Sequence, residues 1–161
     1  MRTDELILSA AREWAGAHPR GRRAADMIGE FSAPVISAAY SFVCAYVIWF
    51  DTGGVVGYLA APLICYTLCF ALRRIVGRKR PGDPPGGKRG ASFPSNHAAM
   101  SATVAVVMGA AHPVFGIVMG IASALTGVSR VLAGKHWPGD VAAGWIIGVG
   151  IGVAALAFIG G

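Results

Sequence analysis

Ser129-Arg130-Val131-Leu132-Ala133-Gly134-Lys135-His136-Trp137-Pro138-Gly139-Asp140 separates two long apolar segments, and its reading decides how the chain is arranged. Arg130, Lys135, His136 and Asp140 are ionisable, and such groups are costly to hold at a membrane boundary unless they serve a function. A fixed cation (Arg130), a side chain that changes protonation near neutral pH (His136) and a carboxylate able to orient it (Asp140) suit an anion-handling nucleophile site. A basic loop that only sets membrane topology is the competing reading, and the rest of the chain decides between them.

Outward from that stretch the chain is apolar. Of its 161 residues, 55% are hydrophobic and only 14% are charged, against about a quarter charged in soluble domains. Mean hydropathy is +0.58. These values predict an integral membrane protein whose 161 residues form a single domain. Cys44, Cys65 and Cys69 all lie in apolar runs, which argues against a disulfide framework. Cys65 and Cys69 are one helical turn apart, and helix packing is the expected use rather than metal binding. Residues 1–30 are charged throughout, so no cleavable signal peptide is expected.

Leu6, Ile7, Ala10, Ala11 and Trp14 recur at helical spacing among Arg2, Glu5, Arg12 and Glu13. That pattern predicts an amphipathic helix at the interface within residues 1–30, with a turn over Pro19 to Arg23. Phe31 to Phe50 carries no charge and is long enough to span. Asp51 to Gly54 reads as a tight turn. Val55 to Leu72 is a second span, with a kink expected at Pro62. Arg73 to Phe93 is a polar loop rich in Arg, Lys, Pro and Gly. A third helix runs from Pro94 or Ser95 to about Ala111, His112-Pro113 turns the chain, and Val114 to about Val128 is the fourth. Pro138, well placed in a first helical turn, opens the fifth, which runs to Ile159. The expected fold is all-α: a polytopic membrane bundle of about five transmembrane helices in residues 31–161, plus the interfacial helix. Gly144, Gly148 and Gly152, and likewise Gly116 and Gly120, form small-residue faces. Packing inside the bundle is their expected use, with a homodimer through these glycine-rich faces as the alternative.

Five spans bring the loop after Arg73, the start of the third helix, the end of the fourth and the start of the fifth to one membrane face, shared with the N-terminus. All 14 Lys and Arg fall on that face. Setting aside Arg73, Arg80 and Arg130, which could bind substrate, leaves 11 against none on the other. Short loops rich in Lys and Arg stay in the cytoplasm. A multi-pass protein of the inner (plasma) membrane is expected, with its active site on the cytoplasmic face.

Three blocks converge there: Arg73-x6-Arg80-Pro81, Ser92-Phe93-Pro94-Ser95-Asn96-His97, and Ser129-Arg130-x5-His136-x3-Asp140. Guanidinium groups match phosphate oxygens in bidentate geometry. Ser95 and the backbone N–H groups of Asn96 and His97 sit at a helix N-terminus, which favours anions. Two histidines can divide nucleophile and acid roles. Only Asp83 and Asp140 supply carboxylates here, too few for a two-metal phosphatase, so chemistry without metal or cofactor is expected. No nucleic-acid partner is expected.

These blocks resemble the signature of the type 2 phosphatidic acid phosphatase family (PAP2, or lipid phosphate phosphatase superfamily), whose pattern is Lys-x6-Arg-Pro, Pro-Ser-Gly-His and Ser-Arg-x5-His-x3-Asp. The third block matches in full, Asn96 stands where glycine is usual, and Arg73 stands where lysine is usual. The small size and short loops resemble bacterial members. The resemblance implies that His136 is a nucleophile forming a phosphohistidine and that Asp140 hydrogen-bonds its other ring nitrogen. It implies that His97 is the general acid, and that Arg73, Arg80, Arg130, Ser95 and the Asn96 backbone bind the phosphoryl group. Lys135 is a candidate substrate contact. Arg74, Arg78, Lys79, Lys88 and Arg89 read instead as headgroup or topology charges, Trp137 as an interfacial anchor, and His112 as uninvolved. The implied activity is hydrolysis of a membrane lipid phosphate in the bilayer. Candidate substrates are a polyprenyl-phosphate-linked phosphosugar such as decaprenylphosphoryl-phosphoribose, phosphatidylglycerol phosphate, phosphatidic acid and polyprenyl diphosphate. A phosphotransferase using the same phosphohistidine, and a non-catalytic lipid-binding or transport protein, are the alternatives.

Overall fold

The computed structural model describes residues 2–50, 54–83 and 90–159, and all regular structure among them is helical. The helices are α1 (Arg2–Ala17), α2 (Pro19–Phe50), α3 (Val55–Val76), α4 (Asn96–Ala111), α5 (Pro113–Leu132) and α6 (Pro138–Leu156). Asp51 to Gly53 of the expected tight turn, and Pro84 to Arg89 of the polar loop, lie outside the described residues.

Four helices, α2, α3, α5 and α6, are long and apolar enough to cross a bilayer. Large apolar side chains on them face outward: Phe42, Leu63, Ile117 and Ile146 are each more than 60% exposed. A soluble protein rarely leaves so much apolar surface uncovered, and the chain is a multi-pass membrane protein. The expected third span, α4, has only 16 residues, a rise of about 24 Å. It packs against α2, α3, α5 and α6, and Ala98, Ala99, Thr103 and Val107 are fully enclosed. Being surrounded by protein, α4 needs neither the length nor the wholly apolar surface of a lipid-facing span.

The glycine faces explain how α4 sits at the centre. A Cβ at Gly144 would stand 2.6 Å from the Ser95 carbonyl oxygen, one at Gly148 would collide with that of Ala99, and one at Gly152 would stand 2.7 Å from the Val106 Cβ. Backbone therefore meets backbone along α4 and α6, and the Thr103 hydroxyl donates to the Gly148 carbonyl at 3.0 Å. On α5, Gly116 faces Gly109 of α4. These positions lie inside the bundle, so the α6 glycine stripe is no homodimer face.

The turn expected over Pro19 to Arg23 is instead a helix. The chain bends only at His18, and Pro19 opens α2, which continues for 32 residues. Proline suits that position because its missing N–H would be unpaired there anyway. Gly21 lets α1 fold back: a Cβ there would stand 2.6 Å from the Trp14 ring, which stacks on His18 with ring centroids 5.1 Å apart. In α1 the protein-facing residues are Leu8 and Ala15, whereas Leu6, Ile7 and Trp14 are exposed. That division fits a helix wedged between bundle and lipid. The three cysteines are free and buried, with Cys65 and Cys69 packed against Ala99.

Candidate functional site

The α4–α6 contact brings two helix N-termini together. The Ser95 N–H donates to the Asp140 carbonyl at 2.9 Å, so the second and third blocks meet directly. The C-terminal ends of α3 and α5 arrive at the same end of the bundle. Gly77, at φ +60, closes α3 by donating to the Arg73 carbonyl. Gly134, at φ +64, turns the chain after α5. The Arg130 carbonyl then accepts from both Lys135 N and His136 N, which folds His136 back under the end of α5.

His136 is 1% exposed and Asp140 is fully buried. The ring Nδ1 of His136 lies 2.9 Å from the Ser92 carbonyl oxygen and 3.7 Å from Asp140 Oδ2. The hydrogen bond expected from His136 to Asp140 is therefore made to Ser92, and the carboxylate acts from a longer range. Since a carbonyl only accepts, Nδ1 carries the proton and the lone pair is on Nε2. Nε2 faces Arg80 Nη1 at 3.3 Å. Arg80 is held by the Lys135 carbonyl at 2.8 Å. Burial holds the His136 imidazole below its ordinary pKa; the Asp140 carboxylate opposes this and the Arg80 cation adds to it.

Asp140 is occupied by two donors. Its Oδ2 accepts from Trp137 N at 2.9 Å, closing the first turn of α6, and its Oδ1 accepts from Arg78 Nη1 at 2.9 Å. Arg78 Nη2 reaches Asp4 Oδ2 at 2.6 Å, and Asp4 Oδ1 accepts from Gly139 N at 2.8 Å. Burial works against the Arg78 cation, but its bonds to Asp4 and Asp140 prevail and raise its pKa. Trp137 is a structural partner as well as an aromatic at the boundary: its indole N–H donates to the Lys79 carbonyl at 2.8 Å, and Arg78 lies over its ring at 5.2 Å.

The remaining candidates surround this centre. Arg130 Nη2 approaches His97 at 2.6 Å from Nε2 and 2.9 Å from Nδ1. Its Nη1 donates to the Gly29 carbonyl of α2 at 2.9 Å. Arg73 Nε donates to the Pro94 carbonyl at 3.1 Å, and Arg73 and Arg80 line one cavity of about 370 Å³. The Ser95 hydroxyl is buried without a hydrogen-bond partner, and the first N–H groups of α4 have no partner within the helix. Lys135 sits at the rim, its Nζ 3.9 Å from Glu30. His112 lies at the other end of the bundle, where its Nδ1 accepts from Val114 N at the start of α5.

All nine candidates therefore gather at one end of the bundle. Asp4, Arg78 and the Ser92 carbonyl were not among them. Arg78 resembles any other basic loop residue in the sequence, Asp4 resembles an ordinary acid in a first helical turn, and a carbonyl leaves no sequence signal. Ser92 does begin the second block, the one hint available.

Comparison with known proteins agrees with this architecture. Residues 54–160 match the PAP2 superfamily. A protein from Sulfolobus acidocaldarius named undecaprenyl-diphosphatase is 45% identical over 58 residues, which is 35% of this chain and 28% of that protein. The matched stretch thus spans little more than a quarter of that relative. The crystal structure of a PAP2-type phosphatidylglycerolphosphate phosphatase from Bacillus subtilis superposes with a TM-score of 0.71 at 22% identity, covering 98% of this chain and 84% of that one. Aquifex aeolicus LpxE superposes with a TM-score of 0.73 at 22% identity, covering 94% of both chains. At that identity the two structures bear on the fold alone.

Proposed function

The chain belongs to the PAP2 superfamily, and on that premise we propose that it is a lipid phosphate phosphatase working through a phosphohistidine. The observation that carries this reading is the setting of His136: a buried ring with Nδ1 tied to Ser92 and its lone pair on Nε2 accepting from Arg80 at 3.3 Å, a contact that Arg80 gives up to an incoming phosphoryl oxygen. A phosphoryl group drawn to Arg80 arrives at that lone pair.

Nε2 forms a bond to phosphorus as the bond from phosphorus to the leaving oxygen breaks. His97 rests neutral against the Arg130 cation; once Arg130 has turned to the phosphate dianion, His97 takes up a proton from solvent and gives it to that oxygen. Water then attacks phosphorus, the N–P bond breaks, and His97 recovers a proton from the water. Phosphate and the lipid alcohol are the products. Arg73, Arg80 and Arg130, the Ser95 hydroxyl and the N–H groups of Asn96 and His97 stabilise the equatorial oxygens, as phosphoryl transfer requires. Arg130 first exchanges its contact with His97 for the substrate. Lys135, at the rim, guides the anion inward. The cationic donor set supports transfer without metal, because Arg73, Arg80 and Arg130 supply the positive charge that an ion would bring to the phosphoryl oxygens.

The substrate is an amphiphile with its phosphate at the boundary and its tail in the bilayer. The name of the Sulfolobus relative supports a polyprenyl diphosphate, and phosphatidylglycerol phosphate stays a candidate as a lipid phosphomonoester. Phosphatidic acid and a polyprenyl-linked phosphosugar fit the same site. The charge asymmetry supports a site on the cytoplasmic face of the plasma membrane.

The test is phosphate release from purified protein across these lipids in the presence of a chelator. Release that disappears in His136→Ala supports the reading, and release unchanged in that variant rejects the nucleophile. A strict metal requirement rejects the metal-free mechanism. Topology is tested with Lys79→Cys, because Lys79 is exposed while the native cysteines are buried. Labelling from outside intact cells overturns the cytoplasmic orientation.

A further inference from the structure

A cavity of about 280 Å³ opens beside His97 and runs between α2, α4 and α5 as far as Pro62. Ser32, Ile36 and Tyr40 line its α2 wall at four-residue spacing, so the wall follows one helix face, over a rise of about 12 Å. Most of its lining is apolar, and three of the deeper hydroxyls are already paired. Ser41 donates to the Ser37 carbonyl, Ser101 pairs with Ser123, and Thr126 donates to the Ala122 carbonyl. Two polar atoms of the lining differ. Asn96 Oδ1 and Ser32 Oγ are buried and have no hydrogen-bond partner. Asn96 adjoins His97 in sequence, and Ser32 is one turn beyond Gly29, whose carbonyl holds Arg130.

A buried polar group without a partner is costly, so a pair of them beside a reacting centre points to a ligand. A carboxamide oxygen only accepts hydrogen bonds. A phosphate dianion brings no hydrogen, so Asn96 Oδ1 is not matched to the phosphoryl group, even though the Asn96 backbone N–H is. The donor that satisfies it belongs to another part of the substrate. If His97 protonates the leaving oxygen, the leaving group lies on the His97 side, where this cavity is.

We infer that Asn96 and Ser32 read a free hydroxyl on the leaving group, next to the carbon that bears the phosphate. The preferred substrates are then phosphomonoesters of a polyol head, glycerol or sugar, rather than phosphates carried by a bare hydrocarbon chain, an esterified glycerol or another phosphate. This rests on the proposed phosphatase reading and narrows it. Ser32 accepts from or donates to the same hydroxyl, and the apolar depth of the cavity accommodates the adjoining carbon chain.

The test compares a 1-acyl-glycerol 3-phosphate, which keeps a free neighbouring hydroxyl, with its 2-deoxy analogue of equal chain length. The wild-type protein should favour the hydroxylated ester by roughly ten-fold in kcat/KM, the scale of one buried hydrogen bond. That ratio should fall to within about two-fold in Asn96→Gly and in Ser32→Ala, since each removes one partner. Ser32→Ala deletes a single oxygen and keeps the test open should Asn96→Gly fold poorly. No preference in the wild type, or a preference intact in both variants, overturns the inference. Equilibrium binding of phosphonate analogues of the same pair separates this inference from the phosphatase reading. Preference in binding without turnover of either ester supports the hydroxyl-reading pair and rejects the phosphatase; turnover of both esters without preference does the reverse.

Discussion

The Ser92 carbonyl oxygen lies 2.9 Å from His136 Nδ1, closer than the Asp140 carboxylate at 3.7 Å. A backbone group therefore sets the tautomer, and no side-chain substitution removes it. Where a carboxylate alone orients an imidazole, its amide variant costs roughly 10⁴-fold in turnover. Asp140→Asn should cost less here, on the order of 10²-fold in kcat, because Nδ1–H keeps its acceptor and only the charge is lost. His136→Ala should abolish phosphate release. Comparing kcat for the two variants checks this, and equal losses would show that Asp140, not Ser92, orients the ring.

Asp4 and Arg78 lie outside the family signature yet support Asp140. Arg78 bridges two carboxylates with one planar fork, a geometry that lysine cannot copy. Arg78→Lys and Asp4→Asn should each lower kcat several-fold with little change in KM. The coupling between positions 4 and 78 in a double-mutant cycle should be about 1 kcal/mol, given their partial exposure. Additive losses would deny the link between α1 and the site.

The pH profile follows from His136. Burial and Arg80 hold its pKa below the ordinary value, so the neutral, nucleophilic form persists as pH falls through about 6.5. The acid limb of kcat/KM, which reports the free enzyme, should lie below that value. Arg80→Gln removes a cation that disfavours protonation and should move the limb upward, alongside its loss of phosphate binding. Asp140→Asn removes the opposing anion and should move it downward. Opposite directions would reject the assignment of this limb to His136.

Glycine positions on α6 test the packing that assembles the site. Gly148→Ala places a methyl against the Ala99 carbonyl and should destabilise the protein by about 1–3 kcal/mol, as overpacking does, with loss of activity as Ser95 and Asp140 separate. Gly150 has open space around it, so Gly150→Ala should leave stability and activity near wild type. Thermal unfolding in detergent and phosphate release measure both. A tolerated Gly148→Ala would deny the close α4–α6 contact.

Much of the bundle was legible in the sequence because a membrane span is a local property. Uncharged runs such as Phe31 to Phe50 report their own burial in lipid, and alternation of spans assigns each block to a face. The candidate residues were legible because their types and spacings are unusual in an apolar chain. The Pro19 to Arg23 stretch misled because proline and glycine mark turns and helix starts alike, and only the contact of Gly21 with Trp14 decides between them. The glycine stripes were ambiguous for a similar reason: small residues permit close approach without naming the partner.

The sequence by itself determined the membrane helices, the side on which charge collects, and the set of arginines and histidines able to handle a phosphate. Only the tertiary structure decided that Asp4 meets Gly139 across 135 residues, that Arg78 rather than its basic neighbours holds Asp140, and that a carbonyl orients His136. Hydropathy and spacing encode the energy of each segment in its own surroundings. Contacts between distant segments depend on how the helices pack, and that packing is set jointly by all of them.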